Sequence, residues 1–229
     1  MNSEGDRVAP PSAIVTSRVS EPRELEEVFR LRYKVYCLER KFERIEDHPG
    51  EMERDAYDDH SLHFLTRDGK GRGIATARLV LDSPLGLPLE KEYAMSEAFA
   101  GIDRRGLAEF SRFAISKNIR DVDEEAAAAP VSARSGHSEI ALSLILALAK
   151  ESRAQGITHW CAAIERALWM ALRHGGMGLR QVGPPKDYHG IRIPCLSSME
   201  ELTGNRIFPL TPEMMAVFSD VMRTKGLDV

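Results

Sequence analysis

Charged side chains stand in this sequence where an ordinary globular chain places apolar ones. The run Ala75-Thr76-Ala77-Arg78-Leu79-Val80 holds an arginine inside a strand-like pattern. Leu107-Ala108-Glu109-Phe110-Ser111-Arg112-Phe113-Ala114-Ile115 holds a glutamate and an arginine inside another. A strand that buries such charges must pair them or turn them into a polar cavity, because an uncompensated buried charge costs several kcal/mol. Two readings follow: a polar pocket built on a sheet, or a structural ion pair tying strand to helix. Period-two geometry puts Glu109, Ser111 and Phe113 on one face and Phe110, Arg112 and Ala114 on the other, unless a bulge intervenes.

A second concentration of charge is Glu53-Arg54-Asp55-Ala56-Tyr57-Asp58-Asp59. Clustered carboxylates suit a substrate ammonium or a metal, and equally a solvated acidic loop. His60 and His63 follow closely but point to opposite sides of an extended segment, so no metal site is expected. Arg30, Arg32, Tyr33, Lys34 and Tyr36 make a basic, aromatic helix end, diluted by Glu24, Glu26, Glu27 and Glu39 and without a nucleic-acid motif. Gly175, Gly176 and Gly178 lack the strand–glycine–helix order of a dinucleotide site. Arg134-Ser-Gly-His-Ser138 is a weak phosphate candidate at a helix start. No serine elbow is present, and Cys37, Cys161 and Cys195 read as core thiols.

The elements that must position these groups are legible from hydrophobic period. Residues 1–11 read as a flexible tail and 12–229 as one domain. Residues 13–18 alternate as a first strand; Ser20 is the expected N-cap, with Pro22 in the first turn of a helix running to about Cys37. Residues 39–59 show no convincing period. Ser61–Thr66 and Ile74–Leu81 form a hairpin across a glycine-rich connection, and a loop through Pro84 and Pro88 leads to a strong strand at Leu107–Ser116. Residues 117–136 read as an exposed loop. Ser138–Gln155 is a buried helix stopped by Gly156, followed by a strand at 157–163, a helix at 165–174, short strands at 179–182 and 191–196, and a last amphipathic helix capped by Thr211. The order implies a single α/β (α+β) domain with a mixed sheet flanked by helices.

The 229 residues are enough for one domain with a sizeable core. A net charge of −4 disfavours a general nucleic-acid binder, and the three scattered cysteines exclude a zinc ribbon or a disulfide scaffold. The first twenty residues carry no signal-like apolar run, and the longest apolar stretch, 140–149, is too short to span a bilayer. The expectation is a cytoplasmic protein. Between Arg153 and Arg192 six basic residues (Arg153, Arg166, Arg173, Arg180, Lys186, Arg192) face two acidic ones (Glu165, Asp187), a stretch fit to dock an acidic protein partner.

Arg32-x-x-Val35-Tyr36, Phe42, Glu53-x-Asp55-x-Tyr57-Asp58, Arg78 and Glu109-x-Ser111-Arg112-Phe113, in this order over residues 25–120, resemble the acyl-homoserine-lactone (autoinducer) synthases of the GNAT-like acyltransferase class. Tyr33–Glu43 and Gly183–Pro194 look closer to the exosortase-associated and N-acyl amino acid synthase-like group. The resemblance implies a GNAT-like fold and transfer of an acyl group from acyl-carrier protein or acyl-coenzyme A to an amine, with no permanently bound cofactor. It implies Glu109 as base, with Asp58 and Arg112 in the catalytic set. Arg32, Phe42, Asp55, Arg78, Ser111 and Phe113 would bind substrate, with backbone N–H groups after Glu109 as oxyanion donors.

Phe42 stands where the autoinducer synthases use a tryptophan in their S-adenosylmethionine pocket, which turns the expectation toward an amino acid-like acceptor. The alternatives are an acyl-homoserine-lactone synthase using S-adenosylmethionine, an ordinary acetyl-coenzyme A-dependent N-acetyltransferase, and a non-catalytic sensor of the same fold. Leu144, Leu148, Trp160 and Trp169 are candidates for an acyl pocket or for plain core.

Overall fold

The apolar alternation of residues 61–81 folds as a hairpin. β2 (Ser61–Arg67) pairs antiparallel with β3 (Gly73–Leu81), with His63 opposite Arg78. Asp68 closes the turn by accepting the N–H groups of Lys70 and Arg72, both at 2.9 Å, and Gly71 takes a φ of +78° that an L side chain disfavours. This computed structural model describes residues 14–117, 137–174, 177–187 and 190–203. The expected tail, the loop after Lys117, Arg134, the pair Gly175-Gly176 and the helix at Thr211 lie outside them.

Around the hairpin the chain adds β1 (Val15–Val19), α1 (Pro22–Tyr33), α2 (Pro88–Glu92), β4 (Leu107–Ile115), α3 (His137–Ala154), β5 (His159–Glu165), α4 (Arg166–His174), β6 (Arg180–Gln181), β7 (Lys186–Asp187), β8 (Ile191–Ser198) and α5 (Met199–Thr203). The sheet order is β1-β2-β3-β4-β5-β8-β6, with β7 also on β8. β1 to β4 are antiparallel, β4 and β5 parallel, and β5 and β8 antiparallel, which is the expected mixed sheet. One face packs Phe64, Ala77, Leu79 and Ala108 against Ile140, Leu144 and Leu148 of α3. The other packs Leu65 and Ala114 against Val28, Phe29 and Leu31 of α1.

Three local features depart from simple periodicity. α1 is capped by Glu21 rather than Ser20, and after Tyr33 it widens into a π-helical turn, Lys34–Glu39, closed by Arg40 N–H to Val35 O at 2.9 Å. Lys41 then takes a φ of +57°, which swings Phe42 out of the helix line. The stretch expected as plain loop before β4 contains α2, because Pro88 starts it and Glu90 accepts the Leu87 N–H at 2.8 Å.

The third departure decides the site. Arg78 pairs with Ser111 and Thr76 with Ala114, so Arg112 and Phe113 together oppose Ala77 alone, and Arg112 has a φ of +49°. This β-bulge reverses the side-chain parity of β4. Arg112 joins Glu109 and Ser111 on the α1 side, while Phe113 joins Phe110 on the α3 side, their rings 5.6 Å apart. The face assignment expected from strict alternation is thereby corrected for Arg112 and Phe113. Beyond the bulge's N-terminal side, β4 pairs with β5 only over Leu107–Glu109, and the strands then part.

Candidate active site

The loop after the π-helical turn is tied to α1 by Glu53 N–H to Phe29 O at 3.0 Å, which lays Glu53, Asp55 and Asp58 over the polar face of β3 and β4. Arg32, fully buried, donates from Nε to Glu53 and from Nη1 and Nη2 to Asp58 at 2.6 and 3.2 Å. Arg78 grips Asp55 in two parallel bonds of 2.7 and 2.8 Å, adds Asp58, and reaches Ser111 Oγ at 3.0 Å from Nε. Arg112 pairs with Glu53 at 3.1 Å, Asp55 at 3.3 Å and Glu43 at 3.6 Å, its guanidinium 5.6 Å from the Tyr36 ring centre. Tyr36 in turn donates its hydroxyl to Phe113 O at 3.0 Å and secures the bulge.

Three arginines thus balance the carboxylates of Glu53, Asp55 and Asp58, the condition for burying such charges. Burial alone raises these carboxyl pKa values, but Arg32, Arg78 and Arg112 outweigh it and hold all three below the usual carboxylate range. They are anions at neutral pH. His63, beneath Asp58, is kept neutral by burial and turns Nε2 to the Asp58 carbonyl at 3.1 Å, while the preceding His60 is exposed. Among the described residues no group of three His, Cys, Asp or Glu is placed to hold a metal.

Glu109 behaves oppositely. It is 4% exposed, no arginine among the described residues forms an ion pair with it, and the Leu89 N–H donates to it at 2.7 Å. Burial pushes its pKa up to about 8, against the smaller opposing pulls of Leu89, Arg78 and Arg112. A carboxylate whose proton exchange is pushed toward neutrality, beside carboxylates held ionised there, is an arrangement that suits a general base among fixed charges. The cysteines offer no competing nucleophile: burial pushes Cys37 up to about 11 and Cys195 to about 12, and Cys161 well above its ordinary value.

A cavity of about 560 Å³ opens where β4 and β5 part. Its polar wall is Asp55, Arg78, Glu109, Ser111 and Arg112, and its apolar wall includes Leu89, Phe110, Phe113, Ile164 and Leu168. Phe42, Arg40 and Arg192 line it as well. Of the residues singled out from sequence, Asp55, Arg78, Glu109, Ser111, Arg112, Phe42 and Phe113 converge here. Arg32 and Asp58 belong to the same charge cluster but do not line the cavity. Leu144, Leu148 and Trp160 pack in the core, with Trp160 stacked on the back of Phe110 at 5.9 Å and donating to Ser152 Oγ at 2.9 Å. Trp169 Nε1 donates to Leu179 O at 3.2 Å, away from the cavity. The apolar wall of the cavity is formed instead by residues such as Phe110, Ile164 and Leu168. Sequence reasoning also passed over Leu89, whose backbone N–H faces the site, and placed Arg192 in the basic stretch expected to dock a carrier protein rather than at the cavity.

Residues 31–127 match the model of the acetyltransferase (GNAT) domain family. No curated protein matches the sequence. Among solved structures, the chain is similar to FeeM, an N-acyl amino acid synthase from uncultured soil microbes, at 18% identity over 83% of this chain and 93% of that one, with a TM-score of 0.59. It is similar to the AHL synthase LasI at 20% identity over 87% and 99% of the two chains, TM-score 0.60. The coenzyme A-dependent acyl-homoserine lactone synthase BjaI, solved with SAM and isopentyl-CoA, matches at 20% identity over 91% and 89%, TM-score 0.54. The fold is GNAT-like, and the resemblance drawn from the motifs holds at that level.

Proposed function

We propose that the protein is an N-acyltransferase that moves a fatty acyl group from an acyl-carrier protein or acyl-coenzyme A thioester to the amino group of a small, amino acid-like acceptor. The observation that carries this reading is the proton-exchanging Glu109 set between a fixed anionic wall and an apolar wall in one cavity.

The acceptor enters as an ammonium drawn to Asp55, and Glu109 takes one of its protons, directly or through a water. The freed nitrogen attacks the thioester carbonyl carbon, the C–N bond forms and the C–S bond breaks. Backbone N–H groups of β4 beyond Glu109 stabilise the oxyanion where the strand has left its neighbour. One nitrogen proton passes through Glu109 to solvent and the other leaves with the thiol. Arg32 and Asp58 serve as positioning residues, holding Arg78 and Asp55 from behind. The acyl chain lies along Phe110, Phe113 and Leu168.

The same reading takes residues 12–229 as the acyltransferase domain and the cytoplasm as its compartment; no helix among the described residues is long and apolar enough to cross a membrane. Arg153, Arg166, Arg173, Arg180 and Lys186 are exposed and suit an acidic carrier protein, whereas Arg192 turns into the cavity.

The deciding measurement is release of free thiol from a long-chain acyl-carrier protein or acyl-coenzyme A, with amino acids and S-adenosylmethionine as competing acceptors and products read by mass spectrometry. An N-acyl amino acid is expected. An acyl-homoserine lactone would reassign the acceptor, and silence with every acceptor would leave a sensor of the same fold.

A further inference from the structure

We infer that Trp160 is a specificity-determining residue that acts through Phe110: it backs the apolar wall of the cavity and sets the length of acyl chain the cavity accepts. This rests on the acyl-transfer reading above and refines its donor.

The placement follows from where β4 and β5 part. Their last pair is Glu109 with Cys161, and Trp160 stands opposite Ala108 one pair before it. Trp160 therefore sits on the α3 side at the closed end of the gap, and Phe110 is the first residue of β4 on that side beyond the last pair. Phe110 lines the cavity. Trp160 lies behind it, 6% exposed, with the two rings nearly parallel, 12° between their planes and 5.9 Å between their centres. Phe113, its ring 5.6 Å from that of Phe110, continues the apolar wall with Ile164 and Leu168. An acyl chain running along this wall toward the closed end meets Phe110, and its reach depends on what holds that ring in place.

Trp160 is itself fixed more firmly than core filling requires. A buried indole must find a partner for its N–H. Here Nε1 donates to Ser152 Oγ at 2.9 Å, and Ser152 is fully buried on α3. That bond sets the orientation of the indole, whereas an apolar side chain in the same space would only fill volume. An interior packed at crystal density gives Phe110 no room to tilt back while the indole is there. A smaller side chain at position 160 leaves a void behind Phe110, and a phenyl ring that relaxes into this void lengthens the apolar space from within.

The test uses the full chain, one fixed amino acid acceptor, and saturated acyl groups in two-carbon steps carried on coenzyme A or acyl-carrier protein. One methylene in an apolar pocket is worth about tenfold or more in kcat/KM. In Trp160→Leu, kcat/KM for a donor two carbons beyond the wild-type optimum, relative to that optimum, should therefore rise at least about tenfold while acceptor KM stays put. Trp160→Phe keeps a ring behind Phe110 but loses the Ser152 bond, and it should shift the profile less. A uniform loss at every length, with the wild-type optimum retained, would show a purely structural role and overturn the inference. Fluorescence gives a reading that does not depend on turnover. The chain has two tryptophans, so in Trp169→Phe the remaining one is Trp160. Titration of that protein with the same acyl-coenzyme A series should shift its emission only for chains long enough to press on Phe110. Emission that ignores chain length would sink the assignment, including where Trp160→Leu does not fold. Length-dependent emission with no product from any acceptor would keep the role of Trp160 and remove the transferase.

Discussion

The backbone N–H of Leu89 donates to Glu109 Oε2 at 2.7 Å, so a residue with no polar side chain supports the cavity carboxyl that burial pushes up to about 8. Leu89 is delivered by α2, and α2 is held from the side: Arg104 donates to both oxygens of Glu90 at 2.9 and 2.8 Å and to Asp82 at 3.0 Å. The rate of acyl transfer should follow the ionised fraction of Glu109, with kcat/KM rising with pH and levelling above about pH 8. Arg104→Ala loosens α2 and weakens a bond that favours the carboxylate, so the rising limb should move to higher pH. A profile unchanged from wild type would show that the clamp does not reach the base.

Glu109→Gln keeps size and the acceptor for Leu89 but removes the base. Turnover should fall by about 10²–10⁴-fold with the fold intact by circular dichroism. Stability gives an independent readout. A folded pKa of about 8 against an unfolded 4.5 means that the native state holds this proton more tightly, so the contribution of Glu109 is present below pH 4.5 and lost as pH rises to 8. Glu109→Gln should therefore match wild type near pH 4 and exceed it in melting temperature at pH 9.

Arg32→Ala leaves Glu53 and Asp58 buried without their shared partner. A loss of about 3–5 kcal/mol is expected in urea unfolding. The same cluster predicts acid sensitivity with the opposite sign to Glu109. Carboxylates with depressed native pKa values contribute stability that is present above their unfolded values near pH 4 and lost below them. A wild-type unfolding midpoint that stays constant from pH 6 down to pH 2 would contradict the charge-cluster account.

The bulge can be tested through its backbone. Arg112→Ala and Arg112→Gly both remove the partner of Glu53, but glycine relieves a φ of +49° that alanine must also adopt. Glycine should be the more stable of the two by about 1 kcal/mol, the reverse of their order in an ordinary strand.

Acyl length should be set by the apolar wall. Leu168→Trp fills the space beside Phe110 and Phe113, and the preferred donor should shorten by several carbons while acceptor KM stays put. Product chain lengths read by mass spectrometry decide it.

Much of this was legible in the residues themselves. Arginine and glutamate inside apolar runs at Arg78 and Glu109 already demanded partners or a cavity, because burial penalises a lone charge whatever the fold. The hairpin at 61–81 and the helices on either side of the sheet followed from hydrophobic period, which is a local property, and the ordered residues over 25–120 carried the resemblance to a known family. What tertiary structure alone decided were matters of one residue or one backbone group. Strict alternation separates Glu109 from Arg112, and only the two-against-one register opposite Ala77 reunites them. The Leu89 N–H carries no sequence signature, since every non-proline residue has one and only α2's placement aims it. Arg192 reads as part of a basic docking stretch until Phe42, 150 positions earlier, is folded against it. Period reports which way a side chain leaves its own strand or helix; which groups from distant segments share a cavity depends on register, bulges and packing, and those are settled only when the sheet closes.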